Sequence, residues 1–338
     1  MSKQRDRDPV AKAADGSRDL YDVASWEERT SLDGLAVAVY WLLRTVAKVG
    51  LILVALVILA AITLGSGLLT GADPLLGVMT ALSVLPALAL VGYVWYSDVT
   101  TGEPLSLLVA TFLLSIVTAN FAVVFNSVLQ APFNALGGLG MVLFFFVVVG
   151  PVEETVKLLA VRLYAYNSSR FDSVVDGAVY GAVAGLGFAT IENFIYIARQ
   201  VGTTDVSLGL GLVGAGGGIT AIRALAGPGH VIYSAFAGYY LGLAKFNGEN
   251  AGPIVVKGLI IAAFIHAAYN STVGIASGLI EAVTGLPGFA AFLVYILLYD
   301  GLFGLLLLRK IRRYSRTYQE VHDGRGDRDV RPEATEFE

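Results

Sequence analysis

Long apolar windows, separated by short polar breaks, run through most of the chain. Eight windows are long enough to cross a bilayer, because a transmembrane helix needs about 20 mainly apolar residues. They cover approximately residues 46–68, 75–96, 105–129, 139–163, 174–199, 221–244, 254–280 and 288–308. The breaks between them contain Gly and Pro, which are typical of turns. The pattern predicts an all-α, polytopic integral membrane protein with about eight transmembrane helices.

The two ends of the chain lack such windows and set the predicted domain boundaries. Residues 1–34 form a polar segment, residues 35–308 a transmembrane domain, and residues 309–338 a polar tail. With eight crossings, Arg44, Arg162, Lys245 and Arg309 all lie on one side of the membrane. The positive-inside rule makes that side cytoplasmic. We therefore expect a multi-pass protein of the cell membrane with both termini in the cytoplasm.

Composition agrees with a lipid environment and narrows the chemistry. Hydrophobic residues make up 56% of the chain and charged residues 15%, against about 25% charged residues in average soluble proteins. The chain has no cysteine, which excludes disulfides, thiolate metal ligands and a cysteine nucleophile. Nothing in the sequence suggests nucleic-acid binding. We expect the lipid bilayer to be one partner of this chain.

Ionisable and strongly polar residues within the windows are concentrated on predicted helices four to seven. Such residues are costly in lipid and tend to mark functional sites. They are Glu153, Glu154, Lys157, Asp176, Glu192, Asn193, Arg223, His230, His266 and Asn270. On helix five, Gly177, Gly181 and Gly185 form a stripe of small residues, and Glu192 continues it seven residues later. Because helices in membranes approach closely at small residues, we expect Glu192 to point towards another helix.

The chemistry of these residues can be narrowed by elimination. The HExxH motif of zinc-dependent intramembrane proteases and the rhomboid-type Gly-x-Ser-Gly motif are absent. Aspartyl intramembrane proteases carry a GxGD motif within a membrane helix, whereas the only GxGD sequence here lies in the polar tail at 324–327. Two imidazoles and a carboxylate from separate helices can hold a Zn²⁺ ion, with another glutamate as general base. A glutamate can also activate water without a metal while polar donors stabilise the oxyanion. The residues alone support both mechanisms.

Four segments resemble the PrsW family of intramembrane proteases, which is grouped with the CAAX prenyl endopeptidases. The segments are EETVK (153–157), FDSVVDGAVYGAVAGLGFATIEN (171–193), IRALAGPGHVIYSAFAGYYLG (222–242) and HAAYN (266–270), in the family's order. They cover about the second half of the membrane domain. The resemblance implies that residues 35–308 form a transmembrane protease domain that cleaves membrane-tethered proteins, including anti-sigma-type regulators.

The resemblance also implies roles for individual residues. Glu153 and Glu154 would supply the catalytic carboxylate, with Glu153 as the water-activating base, and Asn270 would donate to the oxyanion. The metal, expected to be Zn²⁺, would be held by Glu192, His230 and His266. The supporting residues would be Lys157, Asn193, Arg223 and Asp176.

Two other classes of function remain open from the sequence. One relative in this superfamily is the scaffold subunit of gamma-secretase, so a non-catalytic assembly protein is an alternative. A proton-coupled transporter is a third, because buried Glu and His residues can form proton relays. The hydropathy pattern lacks the internal repeat found in many transporters, which disfavours this third class.

Overall fold

The chain folds as a bundle of α-helices. The computed structural model describes residues 8–14, 16–42, 74–98, 102–201 and 218–322, and no β-strand occurs in these ranges, which confirms the all-α prediction. A π-helical turn, Phe145–Val149, joins the helix Gly137–Phe144 to the helix Gly150–Leu163. The helices are α1 (Pro9–Ala14), α2 (Ser31–Leu42), α3 (Pro74–Tyr96), α4 (Leu105–Asn134), α5 (Gly137–Phe144), α6 (Gly150–Leu163), α7 (Val174–Val201), α8 (Ile219–Phe246), α9 (Ala251–Thr284) and α10 (Gly288–His322).

Six helical segments of the described chain are long and apolar enough to cross a membrane. They are Gly77–Tyr96, Leu105–Asn134, Gly137–Asn167, Val174–Gln200, Ala251–Thr284 and Gly288–Val321. The 28-residue α8, which corresponds to the predicted sixth helix, is not among them and carries Arg223, His230 and Lys245. The first predicted window, 46–68, lies outside the described residues. The multi-pass helical class is thus confirmed, whereas the count of eight is not.

The closest helix pair in the bundle is α7 against α8, and glycine makes this approach possible. A Cβ atom placed on Gly181 would lie 2.3 Å from the carbonyl oxygen of Ser234, and one placed on Gly185 would lie 2.3 Å from that of His230. No side chain fits at these distances, so the two backbones are in direct contact. The glycine stripe therefore does face another helix, as predicted, and that helix carries one of the two candidate histidines.

The polar N-terminal segment packs against the ends of α9 and α10. The Asp22 carboxylate binds the ammonium groups of Lys257 and Lys310 at 3.2 and 2.8 Å. Lys257 also binds Asp33, at 2.9 Å, and all four side chains are essentially inaccessible to solvent. Burying charges is costly unless they are paired. The segment therefore neutralises two lysines that the membrane helices bury.

The last helix, α10, extends well beyond the predicted membrane window. The window ends at residue 308, whereas α10 continues to His322. In this extension Ile311 and Tyr314 are buried, and the Tyr314 hydroxyl donates to Asp8 at 2.6 Å. The first part of the predicted polar tail is therefore a packed helix that contacts the N-terminal segment.

Candidate active site

A cavity of about 520 Å³ lies between α4, α6, α7, α8 and α9. Its wall includes Glu153, Glu192, His230, His266 and Asn270. These residues come from four separate helices, as the sequence predicts, and they meet around a single cavity. The rings of His230 and His266 lie edge to face with their centroids 5.1 Å apart. The structure therefore brings the predicted acids and imidazoles together in one place.

Glu154 is the fully paired member of the glutamate pair. Its Oε1 atom accepts from the Lys157 ammonium at 2.6 Å and from the Nδ1 atom of His266 at 2.8 Å. Its Oε2 atom accepts from the Ser234 hydroxyl at 3.1 Å. Lys157 thus pairs with Glu154 three residues earlier, and not with Glu153 on the preceding helical turn. Because Nδ1 of His266 donates to Glu154, its Nε2 atom carries the free lone pair.

Glu153, the neighbouring glutamate, keeps one oxygen available. Its Oε1 atom accepts from the side-chain amide of Asn126 at 2.9 Å. Its Oε2 atom is buried and has no hydrogen-bond partner among the described residues. This oxygen lies 3.7 Å from Nε2 of His266. Two acceptors face each other at this point, which is the arrangement that binds a water molecule or a cation.

His230 belongs to a second polar chain that ends at Arg223. Its Nδ1 atom accepts from the Lys157 ammonium at 3.0 Å, and its Nε2 atom lies 2.8 Å from Glu192. Glu192 also binds Arg223, whose Nε donates to the amide oxygen of Asn193 at 2.8 Å. The predicted supporting residues Lys157, Arg223 and Asn193 thus hold His230 and Glu192 in position. This pairing also accounts for an arginine within an apolar bundle.

The spacing of donors fits a divalent metal at three of these residues. One donor atom each from Glu153, His230 and His266 lies within 4.8 Å of the other two. Two imidazoles and a carboxylate suit zinc, and the unpartnered Oε2 atom of Glu153 is a ready ligand. Glu192, predicted as a ligand, is outside this group and binds Arg223 and His230 instead. Because both nitrogens of His230 have partners, His230 can join a metal only by releasing one of them.

Two predicted residues are placed differently from the others. Asn270 lines the cavity, and no hydrogen bond to the described residues holds its amide, so it remains available to a ligand. Asp176 lies in the first turn of α7, sixteen residues before Glu192, which is about 24 Å along the helix. Its carboxylate accepts from the backbone N–H of Ser173 at 2.9 Å. Asp176 therefore caps α7 and does not support the cavity.

Some residues of the site were not predicted from the sequence. Asn126 comes from α4, which corresponds to predicted helix three, so the cluster is not confined to predicted helices four to seven. Its signal was weak, because it is one of two asparagines, with Asn120, in an uncharged window. The Tyr233 ring stacks on His266 with centroids 5.3 Å apart, and its hydroxyl donates to Asp300 at 3.1 Å. Tyr233 carries no comparable signal, because tyrosines are common in apolar helices.

A helical membrane bundle that encloses carboxylates and imidazoles around a cavity contains the groups that an intramembrane hydrolase needs. The model of the PrsW family of intramembrane metalloproteases matches residues 103–299. The chain belongs to this family. The match confirms the resemblance seen in the four sequence segments and covers the helices that form the site.

Curated relatives agree with this assignment. The chain is 27% identical to Protease PrsW of Bacillus subtilis (strain 168) over 227 residues, which is 67% of this chain and 91% of the relative. It is 28% identical to Protease PrsW of Geobacillus kaustophilus over 183 residues, 54% of this chain and 74% of the relative. It is 30% identical to Protease PrsW of Clostridioides difficile (strain 630) over 163 residues, which is 47% of this chain and 64% of the relative. No solved structure matches the chain.

Proposed function

We propose that this protein hydrolyses peptide bonds of membrane-tethered proteins, within or next to the bilayer. The observation that carries the proposal is the unpartnered Oε2 atom of Glu153, which is buried beside the cavity, 3.7 Å from Nε2 of His266. A carboxylate that faces an imidazole lone pair can hold a water molecule and take a proton from it. Membership of the PrsW family supports a peptide bond as the target.

In the proposed reaction, Glu153 acts as the general base. It accepts a proton from the attacking water and returns it to the leaving amine. Asn126 holds the other oxygen of this carboxylate, so that Oε2 stays directed at the cavity. Glu154 fixes the orientation of His266 through Nδ1. The amide of Asn270, at the cavity wall, would donate to the negatively charged oxygen that forms from the carbonyl group of the scissile peptide bond.

We propose a second form of the site, in which Glu153, His230 and His266 hold a divalent metal, with Zn²⁺ the expected ion, and Glu192 orients His230. In that form Glu153 would be a metal ligand and not the general base. A metal bound there would act as a Lewis acid and lower the pKa of water. A metal requirement is tested by chelation and by elemental analysis of the purified protein. Activity that is fully retained in metal-free protein would leave Glu153 as the base in a reaction without metal.

The central experiment compares wild type with Glu153→Gln after reconstitution with a tethered substrate in liposomes. Glutamine keeps the shape of the side chain and cannot accept the proton. Loss of a general base typically lowers the rate by about 10²–10⁴-fold. The control is Glu249→Gln, in the exposed turn between α8 and α9, which should cleave at the wild-type rate. Full-rate cleavage by Glu153→Gln would contradict the proposal.

The substrate class and the orientation are proposals as well. The family resemblance implies anti-sigma-type regulators, and co-expression with such a regulator should yield a shortened product that is absent with Glu153→Gln. Both termini are proposed to be cytoplasmic. Support comes from the contact between Tyr314, near the end of α10, and Asp8, which places both ends of the described chain at one end of the bundle. Reporter fusions at each terminus test this orientation.

A further inference from the structure

A second group of acidic side chains lies far from the cavity. Asp98 follows α3, Glu103 precedes α4, and Asp176 lies in the first turn of α7. One carboxylate oxygen from each lies within 4.8 Å of the other two. Asp176 is about 24 Å along α7 from Glu192, so this group is separate from the active site. None of these three carboxylates has a role in the proposed reaction.

Glu103 points to a missing ligand in this group. The side chain is 4% exposed, and its Oε2 atom accepts from the hydroxyl of Tyr180. Its Oε1 atom is buried and has no hydrogen-bond partner among the described residues. Leaving a buried carboxylate oxygen unpaired is energetically costly. Neighbouring carboxylates cannot donate to this oxygen, so either a proton or a cation must lie between them.

Hydrogen bonds from neighbouring groups hold the side chains of this acidic cluster in position. Asp176 is held by the backbone N–H groups of Asp172 and Ser173, at 2.6 and 2.9 Å, which fixes the carboxylate at the start of α7. Lys245 lies close enough to interact electrostatically with this group, but its ammonium donates to the backbone carbonyl oxygens of residues 166 and 168. The lysine is thus anchored beside the cluster, and it does not fill the position between the carboxylates.

We propose that Asp98, Glu103 and Asp176 bind a divalent cation with a preference for oxygen ligands, Mg²⁺ or Ca²⁺. A donor set made only of carboxylate oxygens selects these hard cations over zinc. Water molecules would complete the coordination, as is usual for Mg²⁺. The cation links the α3–α4 connection to the start of α7. It therefore stabilises the fold at a distance from the reaction.

The test measures the thermal unfolding of the purified full-length protein in detergent. Chelated protein is compared with protein in excess Mg²⁺ or Ca²⁺ near pH 7. We expect the cation to raise Tm by several degrees, because a ligand that binds only the folded state stabilises it. Glu103→Gln and Asp98→Asn should each remove most of this rise, and Glu249→Gln should keep all of it.

Three results would overturn the proposal. A wild-type Tm that is unaffected by either cation would mean that a proton alone holds the carboxylates together. A rise that persists at full size in Glu103→Gln and Asp98→Asn would place the ion elsewhere. A rise that is lost in Glu153→Gln would place it in the active site. The assay needs no substrate, so its outcome is independent of the proposed peptidase activity.

Discussion

Glu153 and Glu154 are adjacent in the sequence but differ in their partners. Glu154 accepts hydrogen bonds on both oxygens, from Lys157, His266 and Ser234. Glu153 is held on one oxygen only, by Asn126. A carboxylate with every position filled serves structure, whereas one with an open oxygen can accept a proton. The two glutamates should therefore respond differently to the same substitution.

Glu154→Gln should destabilise the protein. The substitution leaves the buried ammonium of Lys157 without its carboxylate, and breaking one partner of a buried ion pair typically costs about 3–5 kcal/mol. We expect a clear loss of Tm in detergent for Glu154→Gln, whereas Glu249→Gln, in an exposed turn, should unfold like wild type. Equal Tm values for Glu154→Gln and wild type would show that this pair does not stabilise the fold.

Asn126→Ala should lower turnover more than it lowers substrate binding. Without the amide, the Glu153 carboxylate can rotate away from His266, and a misplaced base typically costs about 10²-fold in rate. Asn126→Asp should be worse, because it places a second carboxylate against Glu153. The matched control is Asn120→Ala on the same helix, since Asn120 donates only to backbone carbonyl oxygens of its own helix. A raised KM with unchanged kcat would contradict this positioning role.

The sequence predicts the site's ionisable residues well, because charged groups within apolar windows are rare and conspicuous. It could not predict which of them pair. Glu153 and Lys157 lie four residues apart and so share one helix face, yet the Lys157 ammonium binds Glu154 and His230. Glu192 was predicted as a metal ligand. Its ion pair with Arg223 depends on the contact between α7 and α8, which the sequence does not reveal.

At the scale of the helices, the α7–α8 contact decides the position of His230. Gly185→Ala should shift α8, because the new Cβ atom would lie 2.3 Å from the carbonyl oxygen of His230. Overpacking of this kind typically costs about 1–3 kcal/mol, and we expect lower Tm together with lost activity. Gly274→Ala on α9 is the control, because its Cβ atom would meet no atom within 4 Å. Unchanged Tm and activity in Gly185→Ala would contradict the close packing.

Helix positions could largely be predicted from the apolar windows, but helix ends could not. The window at 288–308 stops where the charged residues begin, yet α10 continues to His322. Hydropathy measures compatibility with lipid, and a helix that leaves the membrane loses that signal without losing its hydrogen bonds. The π-helical turn Phe145–Val149 is also invisible to hydropathy, because it is as apolar as the helices on either side.

At the scale of the whole molecule, the N-terminal segment is part of the fold. Asp22→Asn should destabilise it strongly, because the buried ammonium groups of Lys257 and Lys310 both lose a charged partner. Breaking a buried pair costs about 3–5 kcal/mol. Asp19→Asn disrupts only an exposed pair with Arg29, which solvent screens, and should have little effect on stability. Thermal unfolding of the two variants provides the comparison. Similar losses of Tm would contradict a central role for Asp22.

This packing could not be predicted from the pattern of the first 34 residues. The segment is polar, and its acidic residues look like those of any solvated tail. Their partners are lysines more than 200 positions away, at helix ends where lysine is expected to face the cytoplasm for reasons of topology. A single sequence shows both sets of charges but gives no signal that they pair.

The pairing of Asp22 with Lys257 and Lys310 sets an order of events during biosynthesis. The aspartate leaves the ribosome first, and its second lysine partner emerges only when nearly the whole polypeptide has been translated. Asp22 can meet Lys257 once α9 has been made, but it cannot complete its pairing until Lys310 on α10 is available. A chain that stops before residue 310 therefore cannot form the whole contact.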